Sequence, residues 1–406
     1  MQRTLYFGFI TLLSTTSVLG QDKTIPTYNP QPIELTIDSN NINGIDGQAC
    51  FSIDKHFVWG GAPIKAQDGK YYLIYSAFAT DTMTFNEAWV LGSKLGLAVS
   101  DSPKGNYKHL GFFLNTDGFN PDSSSWDAQT AHNPHLRFFN DTYYLYYIGS
   151  ADPIGKVPIR STSKEMDRRS RIQQYLTIGV ISFKSFDDLL NGNFKHSDQP
   201  LISPRTRVKA NNIVDPSPEG TQPLPDNIIM VNPAVVYRPS DQKYLLYFKG
   251  NIYDPTWRGV HGVAIADSPE GPFTPLNQEV FVVDTPDGEK LSAEDPYVWY
   301  NSNDKLFYAI FKDFTGRFTK DEPCLAIMYS EDGIAWKLPE NSLFMRKELK
   351  LANGELLKVN RLERPQLLLD DIGNPVVLFA ACAIKDVNGR KDGGSFNVQI
   401  PLKQIP

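Results

Sequence analysis

Along most of this chain apolar and aromatic residues fall in short runs of four to eight, often alternating with polar ones. That is the period of a strand and not of a helix. Five segments repeat one plan: GAPIKAQDGKYYLIYSAF from Gly61, HNPHLRFFNDTYYLYYIGS from His132, VNPAVVYRPSDQKYLLYFKG from Val231, EDPYVWYNSNDKLFYAIFKD from Glu294 and ERPQLLLDDIGNPVVLFAA from Glu363. Each places a proline near its start (63, 134, 233, 296, 365), then turn residues, then an aromatic-rich run, and each predicts a hairpin. A second motif follows most of them: LGLAVSDSPKGNY, HGVAIADSPEGPF, LAIMYSEDGIAW and, more weakly, YLTIGVISFKSFDDL. Together they give three to four antiparallel strands per unit, with units starting 63 to 99 residues apart. Helical spacing is scarce outside FDDLLNG. The fold this predicts is all-β, a five-bladed β-propeller over residues 45–406; two stacked sandwich domains are the alternative.

In a propeller the first strand of each blade lines the central channel, and its start faces the mouth where ligands bind. The residues just before the prolines are therefore the ones to compare. Two before proline stand Gly61, His132, Val231, Glu294 and Glu363; one before it stand Ala62, Asn133, Asn232, Asp295 and Arg364. A channel with only a structural role has no need of two Glu, a His, an Asp and an Arg at matching sites.

The remaining features narrow the class. Of 406 residues, 41% are hydrophobic and 21% charged, with a formal net charge of −6, so no basic field points to nucleic acid. MQRTLYFGFITLLSTTSVLG reads as a secretory signal peptide cut after Gly20, with residues 21–44 as an N-terminal extension. No run is long and apolar enough for a membrane span. The expectation is a secreted or periplasmic protein; the oligomeric state is left open. Cys324 and Cys382 sit in strand-like runs and read, for an odd set of three cysteines, as small buried hydrophobes. No cofactor motif is present, and a structural ion in the central channel is the one inorganic group the reading leaves room for.

The x-Pro blade starts, the DGKYYLIY-type strand pair and the DSPxGxF/Y turns resemble the five-bladed propeller glycoside hydrolases of families 43, 32 and 117, over roughly residues 45–400. The resemblance implies cleavage of a terminal sugar by carboxylates on inner strands of different blades. It places a general acid two residues before a blade proline, which SAEDP matches with Glu294. The general base it implies, an Asp before the first blade's proline, falls at Ala62, and an Asp that tunes the acid falls at Asn232. A catalytic His of family 117 falls at Ala293.

Glycoside hydrolysis needs a proton donor and a second carboxylate about 5 to 9 Å away. Glu294 and Glu363 hold matching places on neighbouring blades and form the best catalytic pair, with Arg361 and Arg364 favouring an ionised Glu363. Asp127, beside Trp126 in SSSWDAQTAHNPHL, is a further candidate base, or a plain turn residue; Asp54 is a weaker one. His132 reads as a proton carrier, an ion ligand or a satisfied channel histidine. Substrate-binding candidates are Trp59, Trp126, His132, Asn133, Asn232, Arg258, His261, Asp295, Arg361 and Arg364, with Trp257 as another platform. The basic insert 156–175 suits a sulfated or uronate glycan, or a solvated lid. The function these features suggest is an exo-acting glycosidase acting on an oligosaccharide or polysaccharide. A glycan-binding propeller without hydrolysis and a lyase using His132 are the alternatives.

Overall fold

The computed structural model describes residues 25–37, 45–114, 125–152, 168–173, 175–205, 223–253, 257–284, 290–291 and 293–405. The segment read as a leader and most of the basic insert lie outside them. Five antiparallel sheets, each in sequential strand order from inside to outside, form the blades. Their inner strands are His56–Lys65, Thr130–Phe139, Val231–Arg238, Glu294–Asn301 and Arg361–Leu369, for blades I to V. Each inner strand contacts those of the blades on either side, and the fifth contacts the first, so the ring is closed.

Thr27–Pro30, from the segment read as an extension, supplies the outermost strand of blade V, pairing Thr27 with Ile405 and Pro30 with Leu402. Segments far apart in the chain, Thr27–Pro30 and Ser395–Ile405, thus share one sheet.

Apolar layers fill the spaces between successive blades. Leu95, Leu97, Leu136 and Leu145 pack between I and II, and Val298, Ala309, Leu245 and Val263 between III and IV. Because each sheet is covered on both faces, the inner strands are buried nearly end to end. Cys324 and Cys382 are buried in this framework as free thiols.

Among the described residues three short helices interrupt the strands. FDDLLNG supplies Phe186–Leu190, with Ser185 as its cap accepting from the Asp188 N–H at 3.1 Å. The other two, α1 (Phe85–Leu91) and α2 (Arg168–Gln173), were not legible in the pattern and pack together over the mouth of the propeller. None of the described helices is long and apolar enough to cross a membrane.

Candidate active site

One backbone device builds the site. Every inner strand carries a register shift one to four residues in, and the residue at the shift takes a positive φ: Gly60 (40°), Asn133 (50°), Asn232 (57°), Asp295 (56°) and Arg364 (54°). Asn and Asp tolerate this left-handed conformation better than most residues, and Gly adopts it freely. A Cβ on Gly60 would lie 3.0 Å from Asn133 Oδ1, so the position is also crowded.

This ring corrects the alignment of the first blade. Spacing from Pro63 puts Gly61 and Ala62 beside the other pre-proline pairs, whereas the bulge in blade I falls at Trp59 and Gly60. Pro63 sits two residues further along its strand than the other four prolines. Ala62 is packed in the layer between blades I and II, and the fifth place in the ring is glycine.

The other four bulge residues bond to one another around the axis. Asn133 Nδ2 donates to Asn232 Oδ1 at 2.9 Å, and Asn232 Nδ2 donates to Asp295 Oδ1 at 2.7 Å. The Arg364 N–H donates to Asp295 Oδ2 at 3.3 Å, and Arg364 Nη2 donates to the Asn133 carbonyl at 3.1 Å. Below them the channel is plugged. His135 takes the Val235 N–H on Nε2 at 2.9 Å and meets Gln366 Oε1 at 3.1 Å; Arg137 donates to the Val235 and Val298 carbonyls and to Tyr297 Oη. Two guanidiniums and a histidine with both nitrogens engaged do not suit a cation, and no group of three ligating side chains occurs among the described residues. The structural ion entertained for the channel therefore finds no fitting donor set there.

Above the ring opens a cavity of ≈ 380 Å³ with two unlike walls. One is apolar: Trp59, Phe85, Trp89, Ile148, Leu176, Ile229 and Val231, with Asn86 and Gln173 from the two helices at the rim. The other is a chain of alternating charges. Lys249 Nζ contacts Glu294 Oε1; Lys312 Nζ reaches Glu294 Oε2 at 3.2 Å and Glu363 Oε1 at 2.8 Å; Arg361 Nη1 lies 3.5 Å from Glu363 Oε2. Two carboxylate oxygens on one ammonium are at most about 6 Å apart, within the scale of glycosidase carboxyl pairs, roughly 5 to 9.5 Å.

Burial alone would raise Glu294, but the Lys249 and Lys312 ammoniums outweigh it and hold the carboxyl down at about 2. Asp295 goes the other way. Burial, then the adjacent charge of Glu294, pushes it up to about 6 against the opposing pull of Arg364 and Lys312. Adjacent acids in one strand have therefore been driven apart. Burial, reinforced by Arg364, keeps His132 neutral by lowering it to about 3; its Nδ1 meets Ser93 Oγ at 2.8 Å.

The structure thus brings together Glu294, Glu363, Asp295, Asn133, Asn232, His132, Arg361 and Trp59 at one cavity, with Arg364 buried beneath it. Several other expected residues lie elsewhere. Asp127 is buried in a separate cluster, accepting from Tyr147 Oη at 2.7 Å and pairing with His196 Nε2 at 3.0 Å and with Ser125. Trp126 donates to the Ser197 carbonyl at 3.0 Å and covers Gly149 and Gly179. Arg258 pairs with Glu279, 2.7 Å away, and His261 is buried outside the cavity wall. Asp54 lines a different groove with Asp81 and Asp392. The side chain of Trp257 falls outside the described residues.

Sequence reasoning missed Lys249, Lys312, Asn251 and the α1 residues Phe85, Asn86 and Trp89. A signal for the lysines exists. Counting each hairpin back from its turn sets Lys249 opposite Val231 and Lys312 opposite Glu294 in the second strands.

The fold is that of a five-bladed β-propeller with its candidate site at the channel mouth. No family model matches the chain. The backbone is similar to Zg3597, a family 117 glycoside hydrolase of the marine bacterium Zobellia galactanivorans, with a TM-score of 0.56 and 15% identity over 94% of this chain and 92% of that one. It is also similar to the alpha-L-arabinofuranosidase from Lactobacillus brevis, with a TM-score of 0.51 and 11% identity over 84% and 91% of the two chains. At such identities the likeness is one of fold. In sequence, the extracellular endo-alpha-(1->5)-L-arabinanase 2 of Bacillus subtilis (strain 168) is 33% identical over 98 residues. That match takes in 23% of this chain and 19% of the relative's own length.

Proposed function

We propose that this protein is a glycoside hydrolase that removes a terminal sugar from an oligosaccharide or polysaccharide. The observation that carries the reading is the pair Glu294 and Glu363, from the inner strands of adjacent blades, lining one pocket and contacting a shared ammonium. The pocket's volume, ≈ 380 Å³, lies near the small end for ligand sites. With α1 and α2 at its rim, that size favours a chain end over the middle of a polymer. Its two walls suit a sugar: Trp59 and Trp89 for the C–H faces, and Asn133, Asn251 and the charged residues for hydroxyls. The similarity in fold to glycoside hydrolases agrees with this reading.

Among the described residues every cation on the pocket wall already contacts a carboxylate. This favours a neutral sugar in the pocket, and leaves a preference for anionic glycans to the basic insert. Incubation with neutral, sulfated and uronate oligosaccharides, followed by product analysis, tests the proposal. A new reducing end with uptake of water supports it. Binding without turnover, or an unsaturated uronate absorbing in the ultraviolet, overturns it in favour of a glycan-binding or eliminating protein.

A further inference from the structure

We propose that Asp295, and not the neighbouring Glu294, is the carboxyl group that protonates the leaving oxygen; this rests on the hydrolase reading above. Three acidic side chains face the cavity. Glu294 contacts two ammoniums, and Glu363 contacts an ammonium and a guanidinium. Among the described residues Asp295 touches only neutral donors: the Asn232 amide on Oδ1 at 2.7 Å, and a main-chain N–H on Oδ2 at 3.3 Å. The residue is only 6% exposed, yet it forms part of the cavity wall. A buried carboxyl with a like charge as its chain neighbour and, among the described residues, no cation in contact holds its proton to a higher pH than a free carboxyl, the condition a general acid needs.

The charged groups around it come from blades III to V. Glu294 and Lys312 flank it on its own blade, Glu363 and Arg364 on the next, and Lys249 reaches Glu294 from blade III. The bulge residues of blades I and II, Gly60 and Asn133, carry no charge. The net result is a carboxyl raised to about 6, with Glu294 acting on it as a positioning charge.

In the step this assigns, the Oδ2–H proton of Asp295 passes to the glycosidic oxygen as the bond from that oxygen to the anomeric carbon breaks. The bonding pair leaves with the oxygen. Either a water that gives its proton to the Glu363 carboxylate, or that carboxylate itself, forms the new bond to the anomeric carbon. If Glu363 attacks, water completes the reaction in a second step, and Asp295 regains its proton.

The test uses the full chain and the variants Asp295→Asn and Glu294→Gln. Asn occupies the same left-handed position in blades II and III, so Asp295→Asn should fold. Its substrates are an oligosaccharide found active in the panel and the dinitrophenyl glycoside of the same sugar, whose leaving group needs no proton. Asp295→Asn should lose about 10²–10⁴-fold in kcat/KM on the oligosaccharide, lose little on the aryl glycoside, and abolish the alkaline limb of the pH profile. Glu294→Gln, by removing the neighbouring charge, should move that limb to lower pH. Equal losses on both substrates, or an unmoved alkaline limb, would overturn the assignment.

If the wild type cleaves nothing, the hydrolase reading fails separately, and infrared titration decides the proton. A protonated-carboxyl band that disappears as pH rises through about 6, and is missing from Asp295→Asn, supports the assignment; no such band refutes it.

Discussion

In blade I the bulged inner strand presents Trp59 to the cavity and places Gly60 at the bulge; in blade IV the same two places hold Glu294 and Asp295. The backbone device is common to both, a register shift with one left-handed residue, yet one blade contributes an apolar wall and the other the charges. The fold therefore sets where side chains arrive, and residue identity at two positions per blade sets the chemistry. In blade I glycine leaves room for Asn133 and Arg364 to pack against the axis. In blade IV two consecutive acids receive opposite environments because one reaches the lysines and the other the buried ring.

The strongest way to break this contrast is Glu363→Gln, which removes one carboxylate from the charged wall. A loss of about 10²–10⁴-fold in kcat is expected, with the melting temperature little changed; a fully active variant would remove Glu363 from the chemistry.

On the other side, Gly60→Ala forces a Cβ into a left-handed site 3.0 Å from Asn133 Oδ1. Denaturant unfolding should show a loss of about 1–3 kcal/mol, and an unchanged midpoint would contradict the crowded ring.

Asp127→Asn probes a carboxylate outside the pocket. Its bonds to Tyr147 and His196 predict a cost of about 1–3 kcal/mol in stability, while kcat/KM stays within a few-fold. A large loss of activity in a fully stable variant would return Asp127 to the catalytic set.

The last effect is a pH dependence. Folding raises Asp295 from 3.8 to about 6, so its favourable contribution is complete below the unfolded value and lost as pH climbs through about 6. Glu294 has the reverse sign: its contribution is present above 4.5 and lost as pH falls toward about 2. Thermal melts of Asp295→Asn should therefore gain on the wild type above pH 6 and lose that advantage in acid; a constant offset would contradict the raised carboxyl.

Much of this molecule was legible in one dimension. Five hairpins with recurring x-Pro starts and turn chemistry determine five blades, because each hairpin has two apolar faces that only neighbouring hairpins can cover. The same repeats marked Glu294, Glu363, Asn133, Asn232, Asp295 and Arg364 as equivalent and polar. What the sequence alone did not determine depends on register and on contacts between distant segments. The bulge at Gly60 moved blade I by two residues against its proline, because a left-handed residue, and not the proline, marks the turn toward the axis. Lys249 and Lys312 entered the site from second strands, and α1 from between strands of blade I, since the ring brings them to one mouth. Asp127 left it for the same reason. Above all, which of two adjacent acids holds its proton to higher pH was decided only by the tertiary structure. Both are carboxyls on one strand, and the difference lies in two lysines from other strands that reach Glu294 and do not contact Asp295.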